Sequence, residues 1–202
     1  MSLYQAPPKT LSIGGIEYPI ETDFRLWVEF QSILAEPSED GEKARKLLAI
    51  MERFGLPPSK ETLSAMIDFY TAASTEHTGT GSRKAAIFDF EKDSEFIYAA
   101  FRSAYRIDLT EEKIHWWRFK ALFKALPDDC EFCKIMRYRA IDLKDVPTGQ
   151  RKFYREMKAR YALSGNATGY RTEQDMRDYI KSRYEEAQAR LAQKQGGEDV
   201  GK

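Results

Sequence analysis

Hydrophobic and polar positions change their period once along the chain. Residues 11–20 read Leu-Ser-Ile-Gly-Gly-Ile-Glu-Tyr-Pro-Ile, two short alternating runs on either side of Gly14-Gly15. That pattern predicts a β-hairpin with a two-residue turn, since paired glycines accept the left-handed backbone that twisted strands require. Pro19 confines its strand to an edge. From residue 22 onward the apolar positions recur at helical spacing. The chain is therefore predicted to be all-α, a multi-helix bundle with a small N-terminal β-hairpin.

The helices can be placed from caps and breakers. Thr22 or Asp23 caps a run through Leu34 with Phe24, Trp27, Val28, Ile33 and Leu34 inward. Asp40 caps a helix carrying Leu47, Leu48, Ile50, Met51 and Phe54, which Gly55 stops and Pro57-Pro58 blocks. Ser59 opens a helix with Leu63, Met66, Ile67 and Tyr70. Residues 74–84 contain no apolar side chain that a core would hold, and the segment is predicted to be a loop.

In the second half, Asp89 is expected to cap a helix with Phe90, Ile97, Phe101 and Tyr105. Asp108 and Glu111 have capping-box spacing ahead of a helix with Ile114, Trp116, Trp117, Phe119, Leu122, Phe123 and Leu126. That set covers more than one stripe, so this helix is expected to be central. Shorter helices follow, one with Phe132, Ile135 and Met136, the next with Phe153, Met157 and Tyr161. Thr172 caps a last long helix with a narrow stripe at Met176, Ile180, Tyr184, Ala187 and Leu191. The expected organisation is a flexible 1–10 segment, one mostly helical domain over 11–195 and a disordered tail at 196–202. Any subdomain boundary falls in the 74–86 loop.

Composition narrows the class. Hydrophobic residues make up 42% of the 202, enough for a core, which excludes disorder of the whole chain. No apolar run approaches the roughly 20 residues a membrane helix needs, and no secretion signal is visible. The 32 basic and 32 acidic residues cancel, which argues against a nucleic-acid-binding regulator. The charge is uneven, however. Residues 1–110 carry 12 basic and 17 acidic side chains, and residues 151–194 carry 11 and 6. Solvated helix faces account for this; steering of head-to-tail association is the sharper reading.

The reactive residue types form no complete constellation. Cys130 and Cys133 are spaced Cys-x-x-Cys, but a structural zinc wants four ligands, and neither His77 nor His115 has paired-ligand spacing. The two are expected to be small residues on one helical turn. Asp89, Glu91 and Asp93 open like a calcium loop, yet Ser94 and Ala100 stand where Gly and Glu are needed. Gly79 to Lys84 lacks Walker spacing. Lys134, Arg137, Tyr138 and Arg139 mix basic and aromatic character, with Asp128, Asp129, Glu131 and Asp142 around them. No nucleophile and base can be paired, so no catalytic residue, cofactor or metal is expected.

Four segments together carry a resemblance: Ile-Glu-Tyr-Pro-Ile-Glu-Thr-Asp-Phe-Arg-Leu-Trp at 16–27, Asp-Phe-Glu-Lys-Asp-Ser-Glu-Phe-Ile-Tyr-Ala-Ala-Phe at 89–101, His-Trp-Trp-Arg-Phe-Lys-Ala-Leu-Phe at 115–123, and Lys-Ile-Met-Arg-Tyr-Arg-Ala-Ile-Asp-Leu at 134–143. Their order and spacing resemble the bacteriophage gene-product-fifteen family of tailed phages and prophages, from residue 11 to residue 190. The cysteine pair is not expected in the family pattern.

The resemblance implies a gene between the major tail protein and the tape-measure protein, the usual place of tail assembly chaperones. It implies a non-enzymatic protein of the bacterial host cytoplasm, without cofactor, that binds the tape-measure protein and leaves before the virion is complete. A holder of so long a client works in repeated copies, so a homo-oligomer is expected, with no membrane or nucleic-acid partner. Met176, Ile180, Tyr184 and Leu191 are the expected interaction surface. The rival class is a structural virion component, a tail connector or completion protein, which would be found in purified particles.

Overall fold

The computed structural model describes residues 4–35, 40–71 and 87–163. Among them lie the predicted hairpin and seven α-helices. The expected 74–86 loop, the 172–194 helix and the 196–202 tail fall outside the described residues.

Strands β1 (Thr10–Ile13) and β2 (Ile16–Pro19) pair antiparallel with Ile13 opposite Ile16 and Thr10 opposite Pro19. Gly14 and Gly15 sit at φ 58° and 82°, both left-handed, which makes the tight turn sterically free. Leu11 and Ile13 point into the core, while β2 keeps no buried residue. Ahead of the hairpin, Pro7 is buried and the Lys9 carbonyl accepts from Ile20 N–H at 3.0 Å.

Helix α1 (Phe24–Ala35) starts where predicted. Asp23 Oδ1 accepts from Arg25 N–H at 3.0 Å, the expected N-cap bond. The same carboxylate holds the Arg25 guanidinium at 2.8 Å through each oxygen. Phe30 is 1% exposed and lies at the centre of the apolar face, although the spacing read from sequence passed over it. Helix α2 (Asp40–Arg53) ends at Gly55, φ 65°. Leu56 N–H bonds Met51 C=O and Gly55 N–H bonds Glu52 C=O, both at 2.9 Å, which is a Schellman closure with Leu56 and Met51 both buried. Leu48, expected inward, is 47% exposed. Helix α3 (Lys60–Thr71) is capped by Ser59, whose Oγ accepts from Thr62 N–H at 3.1 Å.

The second half departs from the predicted boundaries in two places. Asp89 caps only a single turn, accepting from Glu91 and Lys92 N–H at 3.0 Å, and α4 (Ser94–Tyr105) begins after it, without Phe90. Asp108 likewise opens a closed turn: its Oδ1 accepts from Thr110 N–H, and Glu112, not Glu111, reaches back to its N–H at 2.9 Å. Helix α5 (Trp116–Lys124) starts seven residues later than the box suggests. The reason is long-range. Phe24 N–H bonds Ile114 C=O at 2.9 Å and Trp116 N–H bonds Thr22 C=O at 2.7 Å, so residues 114–116 are held extended as a bridge to the start of α1. Two further helices follow, α6 (Glu131–Ala140) and α7 (Arg151–Arg160), with short 3-10 turns between them.

One core joins the hairpin and helices α1 to α6, and Phe119 of α5 is its hub. Its ring lies parallel to Phe24 of α1 at 4.3 Å and to Phe101 of α4 at 5.1 Å. The tryptophan pair is part of the core, and it also answers a polar need. The last carbonyls of a helix lack partners within it. Trp116 Nε1 donates to Tyr70 C=O at 3.0 Å and Trp117 Nε1 to Phe69 C=O at 2.8 Å, so α5 caps the C-terminal end of α3. Lys120, also buried, donates to the Tyr70 carbonyl at 3.0 Å. No described helix is long and apolar enough to cross a membrane.

Candidate functional site

The sequence motifs resolve as structural features. Cys130 is the N-cap of α6, and its Sγ accepts from Cys133 N–H at 3.4 Å. Burial, then the neighbouring Cys130, pushes the Cys133 thiol up to about 12, so it stays protonated near neutral pH. Both cysteines are free thiols. Among the described residues no three His, Cys, Asp or Glu side chains converge as metal ligands would.

Asp93 of the calcium-like triplet and Arg139 of the basic-aromatic run prove to be each other's partners. Arg139 Nη1 and Nη2 grip the two Asp93 oxygens at 2.6 and 2.8 Å, with the side chains 8% and 2% exposed. Arg139 also donates to Ile87 C=O at 3.1 Å and Tyr161 C=O at 2.6 Å. It is a buried clasp between the entry to α4, α6 and the end of α7, and not part of a basic surface.

His115, at the N-cap of α5, has both ring nitrogens engaged. Nδ1 accepts from Trp117 N–H at 3.0 Å, so Nε2 carries the proton and donates it to Pro8 C=O at 2.8 Å. Burial pushes His115 below its ordinary value of 6.5, against the Pro8 bond and with Arg118 and Lys9 adding repulsion. Glu21, Asp23 and Lys113 line the same cleft. The depressed value sets the sign: the contribution is complete above the ordinary imidazole value and is lost as pH falls through the folded-state one. The urea midpoint of the protein is expected to fall between pH 7.5 and 5.5, and to fall less in His115→Asn, which keeps an N-capping side chain. Equal slopes for the two proteins would show that His115 does not titrate in this window.

An exposed aromatic surface lies on α6 and α7. Helix α7 has no buried residue, and five of its ten residues are basic. Lys158 Nζ donates to Ile141 C=O at 2.7 Å and Arg151 Nε to Val146 C=O at 2.8 Å, so charged side chains on carbonyls fasten α7 alongside its aromatic contacts. Those aromatics form one cluster around Tyr138 of α6. Tyr161 stacks on it at 6.0 Å, while Phe153 and Tyr154 meet it edge-on at 6.1 and 6.2 Å. Phe153 is 50% exposed. A second apolar concavity of about 380 Å³ lies between α1 and α4, lined by Phe24, Val28, Phe90, Ile97 and Leu109.

The expected interaction residues Met176, Ile180, Tyr184 and Leu191 lie outside the described residues. Phe153, Met157 and Tyr161 recur at helical spacing, a period that an exposed stripe and a packed one share. The signal for the exposed one is in the five basic residues of α7.

The fold of the described residues defines an all-α protein with one small hairpin, whose α6–α7 face is aromatic and basic. The chain belongs to the bacteriophage Gp15 family: the family model described as Bacteriophage Gp15 protein matches residues 5–163. The protein is thus phage-related, and the match stops before the 172–194 segment that the sequence resemblance was expected to include. No curated protein and no solved structure gave a match to the chain.

Proposed function

We propose that this protein is a tail assembly chaperone of the bacterial host cytoplasm that binds the tape-measure protein during tail morphogenesis, and that it acts by binding and not by catalysis. Family membership supports a role in the phage programme. The observation that carries the binding reading is the α6–α7 face. A helix with no buried residue, presenting Phe153 beside Tyr138, Tyr154 and Tyr161, offers aromatic area that another helix can cover. Rigid aromatic anchors flanked by basic side chains are the composition of an interaction face.

The test is co-expression with the neighbouring tape-measure protein, followed by pull-down. The protein should keep the tape measure soluble. Phe153→Ser combined with Tyr154→Ser should reduce capture by about tenfold or more, since each lost anchor is worth roughly 1–2 kcal/mol. The double variant should stay folded, with a modest fall in melting temperature from the lost contacts to Tyr138, because neither residue is fully buried. Capture that is unchanged in a folded double variant would overturn the assignment of this face. Stoichiometric presence of the protein in purified phage particles would overturn the chaperone reading in favour of a virion component.

A further inference from the structure

A cleft of about 300 Å³ opens beside the first turn of α5, on a different surface from the α6–α7 cluster. Three exposed cations reach it: Lys9 from the arm before β1, Lys113 from the extended bridge, and Arg118 from α5. Among the described residues, none of these side chains forms an ion pair or a hydrogen bond.

Two carboxylates share the cleft, and both are already committed. Glu21 Oε1 accepts from Thr22 N–H at 3.1 Å and Asp23 N–H at 3.2 Å. Asp23 holds the Arg25 fork. Burial works against the Asp23 charge, but the Arg25 bonds and the nearby Lys113 prevail and keep its carboxyl below the usual range. Lys9 and Arg118 are close enough to bear on the charge of His115. Among the described residues the three cations therefore line one concavity without an ion pair of their own, with Lys113 lying near the Asp23 charge. Such a geometry focuses a positive potential that an incoming anion relieves. Pro7 and Ile114, both buried, give the cleft an apolar floor.

We infer that this cleft binds a short acidic segment of a partner protein. Its carboxylates would meet Lys9, Lys113 and Arg118, and its aliphatic stems would lie against Pro7 and Ile114. An extended peptide suits the mixed wall better than a polyphosphate does. Glu21 and Asp23 would repel a continuous phosphate backbone, whereas a peptide alternates carboxylates with neutral groups. The inference goes beyond the tape-measure reading and stands on other residues.

The test is fluorescence anisotropy with the full chain and a labelled Gly-Glu-Ala-Glu-Ala-Glu-Gly peptide, in which carboxylates alternate with neutral residues. Binding is expected at about 50 mM salt and should weaken by about tenfold at 300 mM, where screening is stronger. Lys113→Glu with Arg118→Glu should abolish it at low salt while the protein stays folded by far-UV circular dichroism, since both side chains are exposed. Phe153→Ser should leave it intact, which separates this surface from the proposed client face. A wild-type protein that ignores the peptide, or a charge-reversed protein that still binds it, would overturn the inference. So would inorganic phosphate alone, or a single-stranded DNA oligonucleotide, occupying the cleft more tightly than the peptide.

Discussion

Arg139→Ala should destabilise the fold by about 3–5 kcal/mol, because it leaves the Asp93 carboxylate buried and unpaired. The side chains of the pair are 8% and 2% exposed, so water cannot replace the lost partner without opening the structure. The loss reaches beyond the pair. Asp93 Oδ2 also accepts from Asp89 N–H at 2.9 Å, and Arg139 also holds Ile87 and Tyr161 carbonyls, so one substitution loosens the entry to α4 and the end of α7 together. Urea unfolding followed by far-UV circular dichroism measures it. Combining Asp93→Leu with Arg139→Met removes both charges and should recover much of the stability lost by either single change. A loss below about 1 kcal/mol for Arg139→Ala would mean that the pair behaves as an exposed one.

A similar loss, about 3–5 kcal/mol, is expected for Trp116→Ala. Trp116 is 1% exposed and stacks on Tyr70 at 4.9 Å. Truncation removes that packing and the donor to the Tyr70 carbonyl. Trp116→Phe separates the two contributions. It keeps a ring, and Lys120 still serves the same carbonyl, so the cost should fall to about 1 kcal/mol. Intrinsic fluorescence melts of the three proteins would rank them. If Trp116→Phe proved as damaging as Trp116→Ala, the hydrogen bond and not the ring would dominate.

What could be read from sequence was local. Gly14-Gly15, Asp23, Gly55 and Ser59 act through neighbours a few residues away, and each performs as its spacing predicts. The failures share the opposite character. Asp108 has the residue types of a helix start, but the chain beyond it is drawn out by Thr22, nearly a hundred residues earlier, and the cap passes to His115. Asp93 and Arg139 were each read in their own sequence neighbourhood, as half a calcium loop and as part of a basic patch. Their pairing spans 46 positions and leaves no trace in local spacing. The candidate surface follows the same rule. An aromatic stripe at helical period does not disclose whether the core has room for it, and in α7 every position stays at least partly exposed.

The bridge that joins Thr22–Phe24 to Ile114–Trp116 also bears on synthesis. α1 and α3 finish before position 72, but the hydrogen bonds that seat the start of α1 and close the end of α3 come from residues 114–120. A nascent chain with only its first half outside the ribosome would hold Phe24, Phe69 and Tyr70 without Phe119, Trp117 and Trp116, the α5 rings they pack beside. Such non-local closure slows folding and lengthens the interval in which greasy surface is open to proteases and to other chains.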